Sequence, residues 1–252
     1  MVSLKTAQEI EILKKSGAIL KSLLHELSLR AQKGVLLTEL DSFARSFAKK
    51  HSAYPAFLNY RPEGARHAYQ AAICTSLNET VVHGVPHQRR LVLGDVLKID
   101  AGIIYEGMYT DAATTVVVGK ASPQVKRLIN ATRKALDEAI ALVRPGKTVG
   151  DIGWIIERRA RLEHCKVLRA LTGHGVGYEL HEDPPVYNYG NRGEGMVLRE
   201  GMVLAIEPMF SLSSEDIVQQ SDESYASADG SFTAHFEHTV VVTKRGHLVI
   251  TG

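Results

Sequence analysis

The chain has 252 residues, 44% of them hydrophobic and 23% charged, which is the balance of an ordinary soluble globular protein with enough length to bury a sizeable core. Its 30 basic and 28 acidic residues leave a formal charge of +2, so no strong field marks nucleic acid or a membrane surface as the main partner. Cys74 and Cys165 are too few and too far apart for a disulfide framework and fit a reducing compartment; with no apolar leader and no run near the ~20 apolar residues that cross a bilayer, the expected location is cytoplasmic.

The first helix is announced by Thr6-Ala7-Gln8-Glu9, a capping box in which hydroxyl and carboxylate each satisfy an orphan backbone N–H. Ile10, Leu13, Leu20, Leu23 and Leu24 follow at helical spacing, and Gly34 is a plausible stop. A second helix begins at Thr38, with Leu40, Phe43 and Phe47 along one face. Strands are expected over 71–76, 96–104 and 108–118. A third helix opens at Ser122-Pro123, a cap followed by proline in the first turn, carries Val125, Leu128, Ile129, Leu136 and Ile140, and ends before Pro145-Gly146. A fourth runs from Thr148 or Asp151 to about residue 163. Further strands are expected over 167–171, 202–210 and 232–242. The polar stretches 60–69 and 211–230 read as loops that could face a substrate. Helix pair, strands, helix pair, strands suggests two similar halves, although their residues are too unlike to count as a repeat. The close spacing of strands favours antiparallel hairpins, so the expectation is one α+β domain spanning 1–252.

Asp100 ends the apolar run Val96-Leu97-Lys98-Ile99, and Asp111 lies on the next strand. If Glu106-Gly107 is a two-residue turn, Gly102 faces Asp111 and Asp100 shares that face. Two surface aspartates would be the plain reading of such a pair, but both flanks are apolar. Glu207, in Met202-Val203-Leu204-Ala205-Ile206-Glu207-Pro208, and Glu237, in Ala234-His235-Phe236-Glu237-His238-Thr239-Val240, repeat the pattern of an acid ending or interrupting a hydrophobic strand. Buried carboxylates are costly unless something neutralises them, and no basic residue is placed to do so. His174 sits in Gly173-His174-Gly175-Val176-Gly177, a glycine-flanked segment after the 167–171 strand. Such a segment could cradle a phosphate, but no Lys-Ser/Thr follows and no helix starts there. Four acids with one imidazole suit a pair of hard or borderline cations such as Mn, Fe, Co or Zn, held about 3.5–4 Å apart in hydrolytic sites.

Asn78-Glu79-Thr80-Val81-Val82-His83-Gly84-Val85-Pro86 resembles a motif of the type I methionine aminopeptidases. So do the Asp100…Asp111 pair, Gly173–Gly177 followed by His181 and Pro184, Ile206-Glu207-Pro208-Met209 and Phe236-Glu237-His238-Thr239, in the family's order over essentially the whole chain. The resemblance implies the pita-bread α+β fold, with pseudo-two-fold halves around a central antiparallel sheet. It implies two divalent metal ions per chain (Co, Mn, Fe or Zn), with Asp100 on one, His174 and Glu207 on the other, and Asp111 and Glu237 bridging. By the family's pattern Glu207 also shuttles the proton, His181 binds the scissile carbonyl and His83 contacts the amide or the nascent leaving group. The implied substrate is the N-terminus of a nascent polypeptide starting with methionine, with a small second residue preferred. Tyr69, Cys74 and Leu180 are candidates for the apolar pocket that takes the thioether.

The chain also departs from the family. Tyr69-Gln70-Ala71-Ala72 stands where a Tyr-Pro or Phe-Pro pair is usual, 61–67 reads as a short insertion, and 222–225 replaces a loop that often carries tryptophan. Proline-specific peptidases of the same fold are the alternative enzymes; they usually carry a large extra N-terminal domain and a different histidine motif. A ligand-depleted binding module of this fold is the non-enzyme alternative, and here all five ligand positions are filled. For a transient association with the ribosome, Gln88-Arg89-Arg90 and Lys126-Arg127 are the candidate basic contacts, although such pairs are commonly solvated surface. The expected state is a monomer.

Overall fold

The computed structural model describes residues 2–61, 64 and 66–252. Within the 61–67 insertion, Pro62, Glu63 and Ala65 lie outside the described residues.

Four long helices follow the capping signals: α1 (Ala7–Arg30), α2 (Leu37–Lys50), α3 (Pro123–Leu142) and α4 (Val149–Leu162). At α1 the Glu9 N–H donates to Thr6 Oγ1 while the Thr6 N–H donates to the Glu9 carboxylate, closing the capping box. Thr148 and Asp151 repeat it at α4, and Ser122 caps α3 ahead of Pro123. α2 begins one residue before the expected Thr38, with the Glu39 carboxylate accepting the Leu36 N–H at 2.9 Å.

The strand Val96–Tyr105 runs antiparallel to Ile73–Leu77, Met108–Val117 and the short Tyr54–Pro55. α1 and α2 cover this sheet: Leu20, Leu23, Leu27, Leu37 and Leu40 share a core with Leu97, Ile99, Ala101 and Ile103. In the second half, a five-stranded antiparallel sheet has the order Gly246–Val249, His238–Thr243, Val203–Ile206, Thr172–Gly175, Glu182–Tyr187. α3 and α4 cover it, Leu128, Leu136, Ile152 and Ile156 packing with Leu204, Ile206, Val240 and Val242. Each half therefore carries its own helix pair on its own sheet.

Hydroxyls join the halves where strands meet without a full ladder. Thr239 Oγ1 accepts the Asp111 N–H at 3.0 Å and donates to its carbonyl at 2.7 Å. Thr115 Oγ1 does the same for His235, at 3.0 and 2.6 Å. Buried backbone groups that lack a strand partner are satisfied this way.

Two expected strands are broken, at chemically informative positions. The 202–210 run divides into Val203–Ile206 and Met209–Ser211, with Glu207-Pro208 between them. The 232–242 run divides into Thr233–His235 and His238–Thr243, with Phe236-Glu237 between. Ile206 pairs with His238 and Met209 with His235, so the two breaks lie opposite each other. Pro208 has no N–H to continue a ladder. The 167–171 strand shrinks to Lys166–Val167, and His174 belongs to a strand, Thr172–Gly175, rather than to a loop. Its glycines serve close packing: a Cβ at Gly173 would stand 2.4 Å from the Ala205 carbonyl oxygen, and one at Gly175 would stand 2.2 Å from that of Asp183. The 211–230 loop contains a hairpin, Ile217–Gln219 with Tyr225–Ser227, added onto Thr80–Val82. Among the described residues, no helix is long and apolar enough to cross a membrane.

Candidate metal centre

Glu106 and Gly107, with φ of 48° and 81°, form the two-residue turn that the sequence anticipates, and Gly102 faces Asp111 across the hairpin. Asp100 lies two residues along the same strand, in register with Cys74 on one side and Ala113 on the other. Its carboxyl neighbours that of Asp111, whose ionisation it opposes. From the other half, the opposed strand breaks bring in Glu207 and Glu237, and His174 arrives on Thr172–Gly175, in register with Ala205.

Ligand-type atoms of Asp111, His174 and Glu237 lie within 4.8 Å of one another, and so do those of Glu207, His235 and Glu237. His174 Nε2 is 3.5 Å from Glu207 Oε1 and 4.0 Å from Asp111 Oδ2. His174 Nδ1 meets the Gly175 carbonyl at 2.8 Å, so that nitrogen carries the proton and Nε2 keeps its lone pair for the acids' side. Asp100 stands outside both tight groups and joins them through Asp111.

All four acids are buried, at 9% exposure or less. Burial pushes Asp100 and Glu207 up to about 7, the charge of Glu207 adding to the rise at Asp100. Burial, then the neighbouring carboxylates, holds Asp111 and Glu237 well above the usual carboxylate range. Asp100 Oδ1, Asp111 Oδ1 and Glu237 Oε1 are buried without a hydrogen-bond partner. Orphaned acceptors facing one another are stable only with a proton or a cation between them. The donor set, carboxylate oxygens with one oriented imidazole, fits divalent metal.

The mouth of the site is lined by histidines and tyrosines. The rings of His174 and His181 are 4.4 Å apart edge to face, and Tyr60 Oη lies 2.7 Å from His181 Nδ1. His83 is held at a φ of 60° after Val82, with the Tyr225 ring 5.8 Å away. Both histidines open to solvent yet are crowded by protein. Desolvation, with help from neighbouring histidines, pushes His83 down to about 4 and His181 to about 3, so both rings are neutral near pH 7. Beside them, Cys74 and Leu180 pack with Ala56 and Phe57, and Tyr60 and Tyr69 lean on that cluster. Burial, then Asp100, raises the Cys74 thiol well above its ordinary range, which makes it a protonated apolar wall rather than a nucleophile. Tyr69 donates to the carbonyls of Ile73 and Gly84, at 3.1 and 3.0 Å, fixing its ring.

All ten residues singled out from the sequence thus converge here. His235, Tyr60 and Phe57 join them unanticipated. His235 carried a signal, since it precedes Glu237 by two and alternation puts them on one face; Tyr60 opens the 60–69 stretch expected to face a substrate, though nothing singles it out there, and Phe57 lies just ahead of that stretch with no signal of its own. The basic pairs fare differently. Arg89 clasps Asp95 with two bonds of 3.0 and 2.9 Å and Arg90 donates to the Gly34 carbonyl, while Lys126 and Arg127 lie exposed on α3.

The sequence profile of metallopeptidase family M24 matches residues 11–244. The methionine aminopeptidase of Aquifex aeolicus (strain VF5) is 41% identical over 256 residues, covering 99% of this chain and 98% of the relative. The crystal structure of methionine aminopeptidase from Thermotoga maritima superposes with a TM-score of 0.95 at 39% identity, covering 100% of this chain and 99% of that one. Prolidase from Pyrococcus furiosus shares the fold, with a TM-score of 0.78 at 23% identity, this chain covering 65% of its length.

Proposed function

This chain belongs to metallopeptidase family M24 and, within it, to the methionine aminopeptidases of pita-bread fold, and on that premise we propose how its residues remove an N-terminal methionine. Two divalent cations would be held here, Asp100 serving one, His174 and Glu207 the other, and Asp111 and Glu237 contributing to both. Co, Mn, Fe and Zn all suit the donors. When bound, such ions polarise the scissile carbonyl and bring the pKa of a water toward neutrality. The observation that carries this reading is the set of orphaned carboxylate oxygens from opposite halves, Asp100 and Asp111 facing Glu237.

The chain's own groups do the rest. Glu207 accepts a proton from the attacking water and hands it to the departing amine. The Tyr60 hydroxyl donates to His181 Nδ1, so the ring's proton sits on Nε2, available to the scissile carbonyl oxygen. His83 contacts the amide on the opposite side. The methionine side chain lies against Tyr69, Cys74 and Leu180, an apolar and polarisable wall. The free α-amine sits near the acids, which restricts the reaction to N-termini. The physiological substrates are nascent polypeptides with a small second residue, met in the cytoplasm, where the two free cysteines would stay reduced. Exposed Lys126 and Arg127 are the basic pair left for a passing contact with the ribosome.

The test is release of free methionine from Met-Ala-Ser by metal-stripped protein reconstituted with Mn, Co or Fe, with Leu-Ala-Ser and Ala-Pro-Ala alongside. Metal-dependent cleavage of the methionine peptide alone is expected. Cleavage of Ala-Pro-Ala would move the chain toward the proline-specific peptidases that share its fold.

A further inference from the structure

The five expected ligands leave one titratable side chain of the centre unassigned. His235 is 1% exposed, and both of its ring nitrogens are buried with no aligned hydrogen bond. An unsatisfied buried imidazole is costly, and its position is fixed: Thr115 Oγ1 bonds both its N–H and its carbonyl. What the ring meets is Glu207. The two carboxylate oxygens of Glu207 face different imidazoles, Oε1 lying 3.5 Å from His174 Nε2 and Oε2 lying 3.1 Å from His235 Nε2. The carboxylate is thus divided between one histidine among the expected ligands and one that is not.

We propose that His235 is a positioning residue for Glu207: Nε2–H donates to Oε2 after a small rotation of ring or carboxylate, and so keeps Oε1 turned toward His174, Asp111 and Glu237. This rests on the metal-centre reading above. The bond fixes which oxygen is left for a cation. Hydrogen bonds to ligating carboxylates are worth about 10–100-fold in metal affinity or activity. His235 also has Glu237 within ligand reach, so the competing role is that of a direct nitrogen ligand.

The experiment compares His235→Leu and His235→Gln with the unchanged chain by cobalt titration calorimetry, by the visible spectrum of the cobalt-loaded protein, and by kcat and KM on Met-Ala-Ser. The expected result is a roughly 10–100-fold weaker cobalt site in His235→Leu, with a shifted spectrum and a lower kcat at little-changed KM, and recovery of most of this in His235→Gln, whose amide N–H can reach Oε2. Leucine and glutamine variants that are equally impaired would make His235 a ligand and overturn the positioning role. A leucine variant that binds cobalt like the unchanged chain would overturn it as well, leaving the metal centre intact. If the unchanged chain binds no cobalt, the metal-centre reading fails and this inference falls with it. Should His235→Leu not fold, His235→Asn, whose amide is too short to reach, must show the loss instead; normal cobalt binding there sinks the proposal.

Discussion

Lys98 lies mid-strand in Val96–Tyr105 at 1% exposure, its Nζ donating to the Asn78 carbonyl at 2.7 Å. Burial pushes its ammonium well below the usual lysine range, and Glu79 and Asp95 only partly oppose this. A base whose folded pKa is depressed binds fewer protons folded than unfolded. Its folded state therefore gains stability as pH rises from that depressed value to the unfolded value of about 10.4, by at most about 1.4 kcal/mol per pH unit. Lys98→Met removes the titration and keeps the volume, while Thr233 still donates to the Asn78 carbonyl from N and Oγ1. The variant should match or exceed the unchanged chain in urea at pH 7, and the unchanged chain should gain on it toward pH 10. A difference that stays flat with pH would mean that the native lysine titrates normally. At the mouth of the site, His181→Ala should lower kcat while leaving metal content near normal, and Tyr60→Phe should reproduce part of that loss by freeing Nδ1. Loss of metal from His181→Ala would make that ring a ligand rather than a carbonyl donor.

The Thr172–Gly175 strand depends on having no side chain at two positions. A methyl at Gly173 meets the Ala205 oxygen at 2.4 Å and Glu207 Cγ at 3.3 Å, so Gly173→Ala should separate the strands carrying His174 and leading to Glu207. About 3 kcal/mol of stability and much of the metal affinity should go together. Gly246→Ala is the matched control: its Cβ would meet nothing within 4 Å, and the unfolding free energy from urea titration should move by no more than about 0.5 kcal/mol. Equal effects from the two would remove the packing explanation. The same contrast bears on what the sequence reveals. Thr6, Ser122 and Thr148 announce helices because their capping bonds are local, and Glu106-Gly107 announces its hairpin because a two-residue turn admits few conformations. Asp100, Asp111, Glu207 and Glu237 stand out because their neighbours are apolar. The strand Glu182–Tyr187 goes unseen because its two prolines argue against a ladder, and Ile217–Gln219 because it is half exposed and pairs only through Tyr225–Ser227. The break at Pro208 is written locally, since proline cannot continue a ladder, whereas the matching break at Glu237 needs the opposite strand to be known. His235, next to an expected ligand, is missed because a histidine among apolar residues reads as core until Glu207 is found 3.1 Å away.

Across the whole molecule the candidate ligands are divided between the halves, Asp100 and Asp111 coming from the first and His174, Glu207 and Glu237 from the second. Direct ties exist without a cation: the Thr115 and Thr239 hydroxyls, and Lys5, whose ammonium pairs with Glu182 while both are nearly buried. Lys5 brings the N-terminal segment onto the strand that follows His181, and Lys5→Met, which leaves the Glu182 carboxylate only the Tyr178 and Glu179 N–H groups, should cost about 2 kcal/mol in urea unfolding. The acids work in the other direction. Four buried carboxyls, each pushed up by burial and most by one another, set the halves apart electrostatically unless protonated or bridged. Cations at this junction bind the folded chain and not the unfolded one, so their removal should lower stability by RT ln(1 + [L]/Kd), about 2.7 kcal/mol at a hundredfold excess over Kd. For a chain of this length that is roughly 5–10 °C in Tm, recoverable by adding metal back. Differential scanning calorimetry before and after chelation measures it, and Asp111→Asn, which removes one of the facing charges, should shrink the gap between the two states. A chelated protein with the Tm of the loaded one, after metal analysis confirms that the ions have left, would mean that the hydroxyl ties, Lys5 and the hairpin paired onto Thr80–Val82 hold the halves together unaided and that the acids are protonated rather than bridged.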